Sequence, residues 1–248
     1  MQSWGVDSRF NIRETVSEPT KSGVIGLLCA ALGWDRELET FEVEQYTLRL
    51  TDLSSLPFGV RVDREGVLRR DYHTAQNVLK ASARSRAGKA PSASDLHQTV
   101  LSERFYLSDA RFTVGLESED AFLLQILARA VTAPHWPLRL GRKAFLPALP
   151  VQWTSPAQES VLPGGLASVL LQALDPLQKQ SAKPIVPRIM LDSDIDDRAL
   201  LERNYVCVSR TRYTDVPISF QPRRFAPRDV STYIQIDHVS LSTDSQSA

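Results

Sequence analysis

Residues 18–33 read EPTKSGVIGLLCAALG, a Thr-Lys-Ser triplet followed by a run, Ser22–Leu32, that carries no charge. Val24, Ile25, Leu27, Leu28, Ala31 and Leu32 fall at positions compatible with i, i+3, i+4 spacing, which predicts a mostly buried helix over 22–32. Thr20 or Ser22 can cap its start, and Gly33 suits the left-handed residue that ends it. Such a helix needs a sheet to lie against, and the downstream pattern supplies strands. Residues 41–51 predict one strand with Tyr46, Leu48 and Leu50 on a face, and 60–72 predict a hairpin turning at Glu65-Gly66. In 104–117 Phe112, Val114 and Leu116 alternate, and SEDAFLLQILARAVTA follows as a helix capped by Ser118. Beyond a proline-punctuated stretch at 134–164 come a short helix at 165–174 and strands at 185–191, 205–209 and 230–236. The order is α+β with mostly antiparallel pairing. A βαββαβ unit would also need a strand before the first helix, and residues 1–21 hold no convincing one.

Composition narrows the function classes. Lys plus Arg and Asp plus Glu number 29 each, so any anionic partner must be held by a local patch. No apolar run approaches the ~20 residues of a membrane span, and MQSWGVDSRFNIRE lacks the layout of a secretion signal. Two cysteines, Cys29 and Cys207, make no disulfide framework and read as small core residues. An intracellular, cytoplasmic chain without a membrane partner is expected.

Three stretches suggest binding chemistry. The first is Lys21 and Ser22. A Walker loop is excluded because Thr20, not glycine, precedes Lys21. A helix N-terminus still favours an anion, while Gly23 and Gly26 permit close backbone approach; a plain capped core helix fits equally. The second runs from His73 to Ser94, without an acid and with Lys80, Arg84, Arg86 and Lys89. It reads either as a phosphate-binding footprint or as a solvated loop. The third, 209–229, carries Arg210, Arg212, Arg223, Arg224 and Arg228 among Tyr213, Phe220 and Phe225, which either stack bases or anchor a core. LGRKAF at 140–145 adds a basic turn. Catalytic patterns are scarce. His73, His97, His135 and His238 show no metal-ligand spacing, and SDIDD (193–197) lacks the glycine and terminal Glu of a calcium loop, so it reads as a helix start. Neither metal nor cofactor is expected. Tyr72, His73 and Lys80 leave a metal-free ribonuclease as the rival reading.

MQSWG, RETVSEPTKSGVIGLLCAALG, DYHTAQ, RFYLSDARFTVGLE, LGRKAFLPALP and DVPISFQPRRFAPRDV, in that order, resemble the CasD family of type I-E CRISPR Cascade. The likeness runs from residue 1 to about 230. It implies an RRM-like ferredoxin fold of the RAMP superfamily over 1–145, including a long thumb-like excursion at 73–103. A smaller β-rich C-terminal part at 146–240 and a disordered tail at 241–248 complete it. Family members begin with an apolar strand ending in Gly-Pro, which this chain lacks before Gln2. That absence is expected to leave Val24, Ile25 and Leu28 exposed. The resemblance implies a non-catalytic RNA-binding subunit in antiviral defence. It would cap the 5′ handle of the crRNA and join the backbone and large subunits. The RNA-binding residues so implied are Arg9, Arg13, Lys21, Ser22, His73, Lys80, Arg84, Arg86, Lys89, Arg104, Arg142 and Lys143. Type I-C relatives cut precursor crRNA, which keeps a metal-independent endoribonuclease as the alternative.

Overall fold

The computed structural model describes residues 1–5, 11–78, 99–173 and 187–236. Helix α1 (Lys21–Leu32) starts at Thr20, whose hydroxyl accepts from the Gly23 N–H. It ends at Gly33 in the left-handed region. Gly23 gives room to the Trp4 ring rather than to a backbone, and a side chain at Gly26 would meet nothing. Ile25 and Leu28 are buried, against the exposure expected of them, and Val24 is partly covered. They are covered from several sides. The hairpin β2 (Thr40–Val43) and β3 (Tyr46–Arg49), α2 (Leu50–Ser54) and α3 (Ala121–Thr132) close a cluster around Ile25, Leu28, Cys29, Trp34, Leu53 and Leu127.

That hairpin replaces the single strand expected over 41–51. Glu44 takes a φ of 49° and reverses the chain. Leu50 then opens α2, because the Asp52 carboxylate accepts from the Arg49 N–H at 2.7 Å. Asp120 rather than Ser118 caps α3, accepting from the N–H groups of Phe122 and Leu123.

A five-stranded sheet carries the rest of the interior. It consists of β4 (Phe58–Arg64), β7 (Arg111–Leu116), β8 (Arg188–Asp192), β9 (Tyr205–Ser219) and β10 (Arg224–Gln235), in the order β7-β4-β8-β10-β9. Every pair is antiparallel. One face meets α1 through Val24, Phe58, Val60, Met190 and Val230. On the other, Ile189, Leu191 and Tyr233 pack against α4 (Leu166–Gln172) and Leu200 of α5 (Arg198–Leu201). The mixed α and β class agrees with the sequence. β8 lies between β4 and β10, so strands from both sides of residue 145 share this sheet.

The segment 60–72 turns at Glu65-Gly66, yet its two halves do not pair with each other. β4 pairs with β7, while β5 (Val67–Ala75) pairs with β6 (Val100–Ser108). The result is one long two-stranded ribbon, bent where Gly66 (φ 78°) and Asp109 (φ 60°) face each other. A Cβ at Gly66 would lie 2.6 Å from that of Ala110, so glycine is what lets the bend close. Beyond the bend the ribbon leaves the central sheet as an arm. The two-residue strand β1 (Ile12–Arg13) adds to it in parallel against β6. Part of the expected thumb, 79–98, with the tail 241–248, lies outside the described residues.

Candidate nucleic-acid interface

Strand geometry sorts the arm's side chains by face. Directly paired residues share a face, and neighbours along a strand alternate. Arg13 is opposite Arg104, and Arg104 is opposite Asp71, so these three form a row across β1, β6 and β5. His73 and Arg69 flank Asp71 on the same face by alternation, and His73 Nδ1 lies 3.6 Å from Asp71 Oδ2. The opposite face carries Ile12, Leu68, Tyr72 and Leu101, all exposed, around an Arg70–Glu103 pair. Tyr72 and His73 thus point away from each other.

The turn 140–145 brings a further guanidinium to the polar face. Within it the Leu140 N–H donates to the Phe145 carbonyl and the Phe145 N–H to the Arg142 carbonyl, while the Ser3 N–H donates to the Leu140 carbonyl. Gly141 (φ 94°) lies so close to Ser3 that a Cβ would sit 1.9 Å from its carbonyl oxygen. Held there, Arg142 Nη2 donates to the carbonyls of Arg13 (3.0 Å) and Phe105 (2.8 Å). Its guanidinium covers the Phe145 ring, which packs on Tyr106. Burial pulls its pKa below the usual guanidinium value; the like charges of Arg104 and Arg13 add to this and Asp71 opposes it. Arg104 Nε donates to Ser102 Oγ. Among the described residues no carboxylate lies within ion-pair distance of Arg13, Arg104 or Arg142.

Lys21 is placed elsewhere, and the reading of it as an open anion site is corrected. It is buried, and its Nζ donates to Asp192 Oδ2 at 3.1 Å. Its backbone N–H donates to Asp215 Oδ2 at 2.7 Å, so a carboxylate of the protein itself already serves this helix start. Arg228 completes the cluster, reaching Asp192 at 2.6 Å and Asp215 at 2.7 Å. It covers the rings of Phe58 and Tyr213 at 4.9 and 5.7 Å. Burial opposes its charge, but the hydrogen bonds and charges of Asp215 and Asp192 outweigh it and raise its pKa. Ser22 Oγ lies near Thr20 Oγ1.

Of the implied RNA contacts, then, Arg13, His73, Arg104 and Arg142 come together, with Lys143 exposed beside Arg142. Lys21 and Ser22 do not join them. Arg9, Lys80, Arg84, Arg86 and Lys89 lie outside the described residues. Sequence reasoning passed over Arg69 and Asp71, which a period-two reading of LRRDYHT would have joined to His73 on one face. The aromatics of 209–229 are anchors in two cases, Tyr213 under Arg228 and Phe220 edge-on to Trp34. Phe225 lies under Arg223. Among the described residues no three His, Cys, Asp or Glu side chains gather as a metal site, and no helix is long and apolar enough to cross a membrane.

Residues 1–231 match the family described as CRISPR-associated protein (Cas_Cas5). The chain belongs to this CRISPR-associated family. Over 151 residues it is 35% identical to the CRISPR system Cascade subunit CasD of Escherichia coli (strain K12). That match spans 58% of this chain and 62% of the relative's length. Among solved structures, a chain of a CRISPR RNA-guided surveillance complex is similar over 94% of this chain and 86% of its own, with a TM-score of 0.61 and 27% identity. A crystal structure of a Cas protein aligns over 94% and 89%, with a TM-score of 0.61 and 34% identity. The family assignment from sequence thus agrees with these likenesses.

Proposed function

We propose that this chain is a subunit of a CRISPR Cascade surveillance complex that binds guide RNA along the polar face of its arm. The observation that carries the reading is the convergence of Arg13, Arg104 and Arg142, from three distant segments, on one strand face without a balancing ion pair among the described residues. Unbalanced guanidiniums on an exposed face suit phosphodiesters, which accept their forked hydrogen bonds. The resemblance to CasD supports the finer assignment. On it the RNA segment is the 5′ handle, the neighbours are the backbone and large subunits, and the role is binding without cleavage in the cytoplasm.

The test is incubation of the purified chain with single-stranded repeat RNA and EDTA. Bound, intact RNA and co-purification with the other Cascade subunits are expected. Cleavage would favour the endoribonuclease alternative. That alternative has to work without joining Tyr72 and His73, which occupy opposite faces of β5. No binding by the wild type overturns the reading.

A further inference from the structure

We infer that Arg142 is a positioning residue, which holds Arg13 and Arg104 side by side as a receptor for one phosphodiester group. The inference rests on the RNA-binding reading above. β1 is only two residues long and, among the described residues, pairs with β6 alone, so its own ladder cannot fix it firmly. Arg142 is the side chain that ties the two together. Its Nη2 donates to the Arg13 carbonyl on β1 and to the Phe105 carbonyl on β6. Those carbonyls belong to Arg13 itself and to the residue after Arg104. Setting this fork therefore sets the backbone from which both other guanidiniums project.

The fork is itself held. Gly141 is seated against the Ser3 carbonyl, the 140–145 turn closes on its own backbone, and the guanidinium covers Phe145, which packs on Tyr106 two residues from Arg104. A solvent-facing contact residue needs none of this support. The arrangement also gathers like charge: Arg104 and Arg13 both disfavour the charge on Arg142, and among the described residues Asp71 is the acid that favours it. Among the described residues, three guanidiniums against one carboxylate leave the site short of negative charge, and a phosphodiester supplies it. With Nη2 engaged by the backbone, Arg13 and Arg104 supply the principal hydrogen bonds to that group. Arg142 supplies geometry and field.

A double-mutant cycle with a fluorescently labelled single-stranded RNA separates positioning from contact. Arg142→Lys keeps the charge, but its ammonium sits one bond nearer the backbone than Nη2 and has no plane to lie on the Phe145 ring. It is expected to lower affinity about tenfold, close to the loss in Arg104→Ala. In the pair Arg142→Lys with Arg104→Ala the combined loss should be less than the sum of the two, because the first acts in part through the second. Two results overturn the inference: wild-type affinity in Arg142→Lys, with or without a lowered melting temperature, or fully additive losses. Failure of the wild type to bind RNA would overturn the functional reading as well, and is distinguishable from these.

Discussion

Lys21 and Arg228 inside the sheet layer face two carboxylates, Asp192 and Asp215, at hydrogen-bond distance. Arg13, Arg104 and Arg142 on the arm have Asp71 near them, and no carboxylate among the described residues within ion-pair range. The first group is closed: its charges cancel, and its ammonium and guanidinium are spent on the protein. Buried ions survive folding only when paired and hydrogen-bonded. The second group is open and partly solvated, where high dielectric makes an unbalanced charge tolerable. A cation's use is therefore read from its counter-charges rather than from its place in the sequence.

The largest effect should come from opening the closed group. Asp215→Ala takes one of the two carboxylates that Arg228 meets, leaving the buried cluster with an uncompensated charge, and removes the acceptor at the start of α1, so about 3–5 kcal/mol of stability should be lost. Lys21→Ala should also destabilise, in place of the neutral effect that an open anion site would imply. Urea unfolding measures both. A loss below about 1 kcal/mol in Asp215→Ala would dissolve the contrast between the two groups. RNA affinity of the molecules that remain folded should not change.

Next in size is the open group. Arg13→Ala with Arg104→Ala should weaken RNA binding by about 2–3 kcal/mol. Stability should move by no more than about 0.5 kcal/mol, as for surface substitutions generally. With that one phosphate contact gone, the slope of log affinity against log salt should flatten by roughly 0.7. An unfolding midpoint that falls with the affinity would place these arginines with the structural cations instead.

Gly141→Ala probes what supports the open group. The added methyl meets the Ser3 carbonyl in a backbone conformation that side chains disfavour, which should cost about 1–3 kcal/mol and shift the 140–145 turn. RNA affinity should fall with it. Retained affinity would uncouple the turn from the arm.

The smallest effect separates the two thiols. Burial pushes the Cys29 thiol up to about 12, while Cys207 is exposed. A disulfide reagent at pH 8 should therefore titrate Cys207 at once and Cys29 only on unfolding. Because the folded value of Cys29 is raised, its contribution to stability is full below about pH 9 and declines as pH rises towards about 12. Equal reactivity of the two thiols would show that the α1 cluster is open to solvent.

Much of the fold was legible where the signal was local. The helix expected at 22–32 occupies 21–32, the short helix expected at 165–174 occupies 166–172, and the strands expected near 185, 205 and 230 are all present. The failures share a cause. Residues 41–51 read as one strand because alternation continues across a reversal at Glu44 that has no glycine to mark it. Residues 60–72 read as a hairpin because nothing in a strand's own sequence names its partner.

By itself, then, the sequence determined the family, the mixed class, the first helix with its cap and Gly33 stop, and the bend at Gly66. These depend on side-chain period and on backbone torsions, which act over a few residues. Only the tertiary structure decided that Lys21 serves the interior and that Arg13, Arg104 and Arg142 share one face. An ion pair such as Lys21 with Asp192, 171 positions apart, is set by which strands lie side by side, and burial then fixes whether a charge must be cancelled or can wait for a ligand.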